Sequence, residues 1–190
     1  MNEFALIAIT AILSSNIVAM FGVGAVGLQS EKRNLGYMLI SALFTVLSII
    51  VAGMLYSVLE IYVLAPVELE YLKIFVVLCL SYSCAFASRA LIKLVSKEDY
   101  YLYEKSYSLP VSVAVVVGAL IVIDFHTTFL MSLYTLAMYG LGYLIVQGLF
   151  YALYQKLDND YVVKPARNVP VMLVTLSFVS MLLYAIAMFF

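Results

Sequence analysis

The sequence predicts an all-α integral membrane protein: six transmembrane helices arranged as two inverted three-helix repeats, with both termini outside. Three observations predict it. Six apolar runs each approach the length of a bilayer crossing, basic residues sit at every second junction between runs, and the two halves of the chain echo each other.

The runs cover roughly residues 4–28, 35–63, 71–93, 107–124, 128–154 and 169–190, near or above the ~20 residues that a helix needs to cross a bilayer. Lys32, Arg33, Arg89, Lys93, Lys97, Lys105, Lys156, Lys164 and Arg167 fall at the first, third and fifth junctions, and only Lys73 falls at the others. Basic loops are retained on the cytoplasmic side, which sets both termini outside a cell inner (cytoplasmic) membrane. Residues of types AVILMFWYC make up 66% of the chain, well above the ~45–50% of soluble domains. The net charge of −1 offers no basic field for nucleic acid, so the partner read from composition is the lipid bilayer.

Run one starts after Met1-Asn2-Glu3-Phe4, which lacks the basic stretch and small-residue cleavage site of a secretory signal, so it is expected to be retained as a span. It carries Ser14-Ser15-Asn16 and then Phe21-Gly22-Val23-Gly24-Ala25-Val26-Gly27. Such a run either breaks a helix near the midplane or lets a neighbour pack closely, since Ala11, Ser15, Ala19, Val23 and Gly27 recur every fourth residue. Run two ends near Glu60, and run three ends near Arg89; long charged side chains at those depths are expected to snorkel to water. Cys79 and Cys84 both lie in run three, about 140° apart at ~100° per residue, and read as small buried hydrophobes. Tyr100, Tyr101, Tyr103 and Tyr107 lie among charges in the third junction and suit the headgroup level.

Run four contains Pro110, which either opens the helix or kinks it, and later Gly118, a second candidate break. The junction Asp124-Phe125-His126-Thr127-Thr128 holds the only histidine, too few ligands for a metal site, and none is expected. Run five contains Gln147, which suits either helix-to-helix hydrogen bonding or an ion or substrate. The midplane candidates are therefore Ser15, Asn16, Gly22, Gly24, Pro110 and Gly118, with Gln147 as the polar in-membrane candidate. No nucleophile with a positioned base, phosphate-binding glycine loop or paired-carboxylate site is present, so no catalytic residue is expected.

The halves match where Ala52-Gly53-Met54-Leu55-Tyr56-Ser57-Val58-Leu59-Glu60 resembles Gln147-Gly148-Leu149-Phe150-Tyr151-Ala152-Leu153-Tyr154-Gln155, an offset of 95 (148 − 53) in a chain of 190. Three spans per half is an odd number, so the copy at about 96–190 would be inverted relative to that at about 1–95 within a single membrane domain.

The stretch Leu64-Ala65-Pro66-Val67-Glu68-Leu69-Glu70-Tyr71-Leu72-Lys73-Ile74-Phe75, followed by Phe86, resembles the second outer loop and third helix of the Rnf/Nqr family, in its Rnf A and Nqr E subunits. The resemblance continues through Ser15-Asn16 to Ser30-Glu31-Lys32 and at Lys164-Pro165-Ala166-Arg167-Asn168, in collinear order over nearly the whole chain. It implies a non-catalytic membrane subunit of an ion-translocating oxidoreductase, paired with a related six-helix subunit of opposite orientation and with other redox-complex subunits. It also implies an iron-sulfur cluster held by cysteines on interrupted first and fourth helices.

The chain departs from that pattern at the cluster. The matching positions fall near Gly24 and Ala25 and within Val113 to Val117, where there is no Cys, His, Asp or Glu, whereas clusters are ordinarily held by thiolates. A divergent subunit without its own cluster is expected, and no other cofactor. Two alternatives remain: the substrate-binding subunit of an energy-coupling-factor vitamin transporter, of similar size and apolarity, or a homodimeric carrier with copies in opposite orientations.

Overall fold

A computed structural model describes residues 7–14, 16, 18, 35–95, 114–120, 129–157 and 169–189. These residues are helical apart from turns and a few irregular positions, with no strand among them. The principal helices are α1 (Leu35–Leu59), α2 (Lys73–Val95), α3 (Phe129–Leu157) and α4 (Val169–Ala187). Their bounds lie within a few residues of runs two, three, five and six. Of runs one and four, only 7–14, 16, 18 and 114–120 are described.

Three stretches are long and apolar enough to cross a membrane: Ala42–Leu64, Phe129–Leu157 and Pro170–Ala187, with a shorter apolar helix at Lys73–Ser88. Their surfaces suit hydrocarbon. α1 turns Leu39, Leu43, Leu47, Val51, Leu55 and Val58 outward and buries Thr45, Ser48, Tyr56 and Ser57; α3 exposes Leu141, Ile145 and Leu149 and buries Thr135, Tyr139, Tyr143 and Gln147. An interior that mixes hydroxyl and amide groups with apolar side chains, under an aliphatic exterior, reverses the pattern of a water-facing helix. The buried hydroxyls bond mainly to their own helices: Ser48 donates to Phe44 O at 2.8 Å, Ser57 to Gly53 O at 3.0 Å and Thr135 to Met131 O at 2.8 Å. This back-bonding satisfies the hydroxyl within its own helix.

α1 and α3 form the centre and run antiparallel. A Cβ on Gly140 would meet Val46 and one on Gly53 would meet Leu136, so numbering rises along one helix as it falls along the other. The helical stretch 114–120 joins this centre at Gly118, where an added Cβ would stand 2.5 Å from Ile49 Cγ2. In lipid such close approach matters, because helix association rests on packing rather than on water exclusion. The echoed glycines do not share an environment: Gly53 is covered by Leu136, whereas nothing lies within 4 Å of a Cβ at Gly148.

Between α1 and α2 the chain passes through a π-helical turn, Glu60–Leu64, and a 3-10 turn, Glu70–Leu72. The bonds Leu69 N–H to Leu64 O (3.1 Å) and Glu68 N–H to Ala65 O (3.3 Å), with Glu68 at φ 54°, form a Schellman cap. Glutamate occupies the left-handed position that glycine usually fills. Glu60 corrects the expectation of a group snorkelling to water. It accepts an ion pair from Lys73 Nζ at 3.1 Å, with the side chains only 18% and 17% exposed. The one basic residue at the predicted outer junctions is thus neutralised by the carboxylate ending the preceding span. Glu60→Gln or Lys73→Gln alone should destabilise the α1–α2 hairpin by about 1 kcal/mol. The double exchange Glu60→Lys with Lys73→Glu should recover part of that in a double-mutant cycle followed by thermal unfolding in detergent.

Candidate functional site

The first segment is helical at residues 7–9, widens into a π-helical turn at Thr10–Ser14, and is not helical at Asn16, and it is helical again at Val18. A break in a helix strands a carbonyl on one side and an amide on the other, and in hydrocarbon each must find a partner. Asn16 supplies both. Its Nδ2 donates to Ile12 O at 3.1 Å, and its Oδ1 accepts from Val18 N–H at 3.0 Å. Asparagine suits this position because one short side chain carries a donor and an acceptor, each able to make a second bond. The residue is fully buried, at 0% exposure.

The interruption is seated on α3 at Gly142. A Cβ there would stand 2.9 Å from Ala11 O, 2.9 Å from Asn16 Nδ2 and 3.1 Å from Ile12 Cα. Glycine is therefore required by the close passage of another backbone rather than by φ. Gly142 adjoins Tyr143, which lies halfway between Phe129 and Leu157. The break thus sits at mid-length of a helix long enough to cross a bilayer. The first segment also packs against α4, whose Thr175 is buried and donates to Val171 O at 2.7 Å.

The other candidates fall differently. Gly118 lies inside the helical stretch 114–120, so the chain is not interrupted there. Its lack of a side chain admits Ile49 instead, which corrects its reading as a break. Gln147 is buried on the inner face of α3, five residues beyond Gly142. Ser15, Gly22, Gly24 and Pro110 lie outside the described residues, as do Asp124, His126 and the tyrosines of the third junction. Gly142 escaped the sequence reading, although the pair Gly140 and Gly142 within one long apolar run was the available signal.

The donor set does not fit the cluster implied by the family resemblance. Residues 114–117 are Ala114, Val115, Val116 and Val117, with the first two fully buried. Cys79 and Cys84 are free thiols on α2, one exposed and one half-buried, and among the described residues no three of His, Cys, Asp and Glu gather into a metal-binding group.

No protein-family model matches the chain, and comparison with curated proteins finds no significant match.

Proposed function

We propose that this chain is a membrane subunit of an ion-translocating redox complex of the Rnf/Nqr type, with six spans, external termini and inverted halves, and without a cluster of its own. The observation that carries the proposal is the interrupted first span, held by Asn16 at mid-depth against Gly142. Interrupted helices at the midplane are where inverted-repeat proteins place their working sites. Asn16 keeps one further Nδ2 hydrogen and one Oδ1 lone pair beyond its two local bonds. It is a polar group able to replace part of an ion's hydration shell at a depth where water is scarce.

The crossing of α1 and α3 supports the inverted halves. A two-fold axis relating residue i to i + 95 must pass where the two helices touch at about that spacing. Val46 and Gly140 are in contact distance of each other across a difference of 94 (140 − 46), near the middle of both helices. The charge bias also bears on partners. With nine of ten basic residues at alternate junctions, every copy is held in one orientation, so a partner of opposite orientation is a different, related chain rather than a second copy.

The test is purification from native membranes through a tag on this chain. A related six-span subunit and redox subunits should accompany it. The chain separated anaerobically from them should carry no stoichiometric iron or sulfide and show no cluster signal in EPR. A cluster ligated by this chain overturns the cluster-free part of the proposal. Recovery with an ATPase module and a tightly bound vitamin overturns the redox assignment in favour of a vitamin-transport subunit.

A further inference from the structure

We infer that the outer face of α2 is a protein interface in the membrane, occupied by a second copy of this chain in the same orientation. The inference rests on the reading of α2 as a membrane span given above. Along their middles α1 and α3 turn only aliphatic side chains outward, and α4 adds Phe178 at mid-length, with its outward tyrosine, Tyr184, near its end. The outward face of α2 differs in carrying a tyrosine at mid-length. It carries an aromatic ridge of Phe75, Tyr82 and Phe86, 64%, 68% and 65% exposed, beside a row of small residues that includes Cys79 and Ser83.

Depth makes the difference costly if lipid covers the face. At ~1.5 Å per residue, Tyr82 lies about 13 Å from Lys73 and about 16 Å from Lys93, close to the centre of a ~30 Å hydrocarbon layer. Tyrosine belongs at the headgroups, where its hydroxyl meets water. Tyr82 makes no hydrogen bond among the described residues. Its hydroxyl would then be unsatisfied in acyl chains.

A second copy supplies what lipid does not. Because charge fixes one orientation, a pair of copies shares a two-fold axis along the membrane normal, which brings equal depths together. The aromatic ridge of each copy then enters the small-residue groove of the other. Ser83 Oγ donates to Cys79 O at 2.8 Å and keeps its lone pairs, so it is an acceptor for Tyr82 of the second copy at the same depth. The area is of the right order. Ile74, Phe75, Leu78, Tyr82 and Phe86 leave roughly 600 Å² outward if each fully exposed side chain offers ~200 Å². The small row between them brings this toward the ~800 Å² per partner of a stable association.

Native Cys79 is the probe, in full-length Cys84→Ala protein in sealed vesicles. Copper phenanthroline should convert it to a covalent dimer, lost in Cys79→Ala/Cys84→Ala and absent when Leu47→Cys is placed in that cysteine-free background. In liposomes carrying donor- and acceptor-labelled copies, Tyr82→Phe should weaken association about three- to tenfold, as expected for one interhelical hydrogen bond. Equal cross-linking at Leu47→Cys and Cys79 would mean random collision and overturn the interface. Absent cross-linking together with monomeric energy transfer would overturn the dimer. Labelling of Cys79 by a membrane-impermeant maleimide in the same vesicles would instead overturn the membrane placement of α2, so the two failures are told apart.

Discussion

Gly142→Ala will cost about 1–3 kcal/mol, the range of overpacking in a well-packed interior, and Gly142→Leu will leave no folded protein in mild detergent. The reason is what the new carbon meets. At Gly142 the neighbours are Ala11 O and Ile12 Cα, backbone atoms of the interrupted segment, with Asn16 Nδ2 beside them. A backbone pinned by its own hydrogen bonds has no rotamer through which to withdraw. Gly118 and Gly140 face the β-branched side chains of Ile49 and Val46, which are stiff about χ1, so alanine there should cost less than at Gly142 but remain measurable. Gly53 faces Leu136, whose Cγ and both Cδ atoms lie within 3.2 Å of the added carbon and which is itself fully buried, whereas Gly148 faces open space. Alanine should cost at Gly53 about what it costs at Gly118, and be neutral or slightly stabilising at Gly148, where helix propensity favours it. Thermal unfolding and SDS titration of the five alanine variants check the order. A loss at Gly148 matching that at Gly142 would mean that helix backbone preference, not seating of the first segment, governs the series.

That order also marks how far the sequence carries the structure. Membrane-length runs announce themselves because every backbone polar group in lipid must be satisfied locally, which makes a long apolar run and a helix nearly the same thing. α1, α3 and α4 accordingly keep their predicted positions within a few residues. Asn16 was legible as a polar group in an apolar run rich in small residues. What it does there was not, because its two bonds depend on where the helix stops, and sequence periodicity places helix ends poorly. Gly118 shows the converse ambiguity: a glycine that breaks a helix and one that admits a neighbour look alike until the neighbour, here Ile49, is known. Gly142 was invisible for the same reason, since its meaning lies in a segment more than a hundred residues away. Glu60 is ambiguous in the same way: a charge near a span's end matches water in the sequence, whereas its partner is Lys73 at the start of the next helix.

The second large effect is expected at Asn16 itself. Asn16→Leu preserves volume and apolarity but removes both hydrogen bonds, leaving Ile12 O and the Val18 amide buried without their side-chain partner. Each group stranded this way costs about 1–3 kcal/mol, so a loss of about 2–6 kcal/mol follows unless the break closes into continuous helix. Closure is opposed by Gly142, because the segment is already within contact distance of α3 at Ala11, Ile12 and Asn16 and has no room to rewind in place. Asn16→Asp tests the same two bonds with a different group: a carboxyl buried at this depth is held neutral, because the ionised form is far costlier there, so its carbonyl oxygen accepts from Val18 N–H and its O–H can donate to Ile12 O. Its cost should fall below that of Asn16→Leu. Because Asn16 and Gly142 meet at one place, Asn16→Leu and Gly142→Ala should be non-additive in a double-mutant cycle, the second change costing less once the first has loosened the segment. Full additivity would show that the break and its seat are independent. An Asn16→Leu protein as stable as the parent would show that the side chain does not hold the interruption at all. For the proposed role in ion passage, Asn16→Asp should retain the fold and change transport by the assembled complex, because the acceptor at mid-depth survives while an ionisable carboxyl replaces the neutral amide.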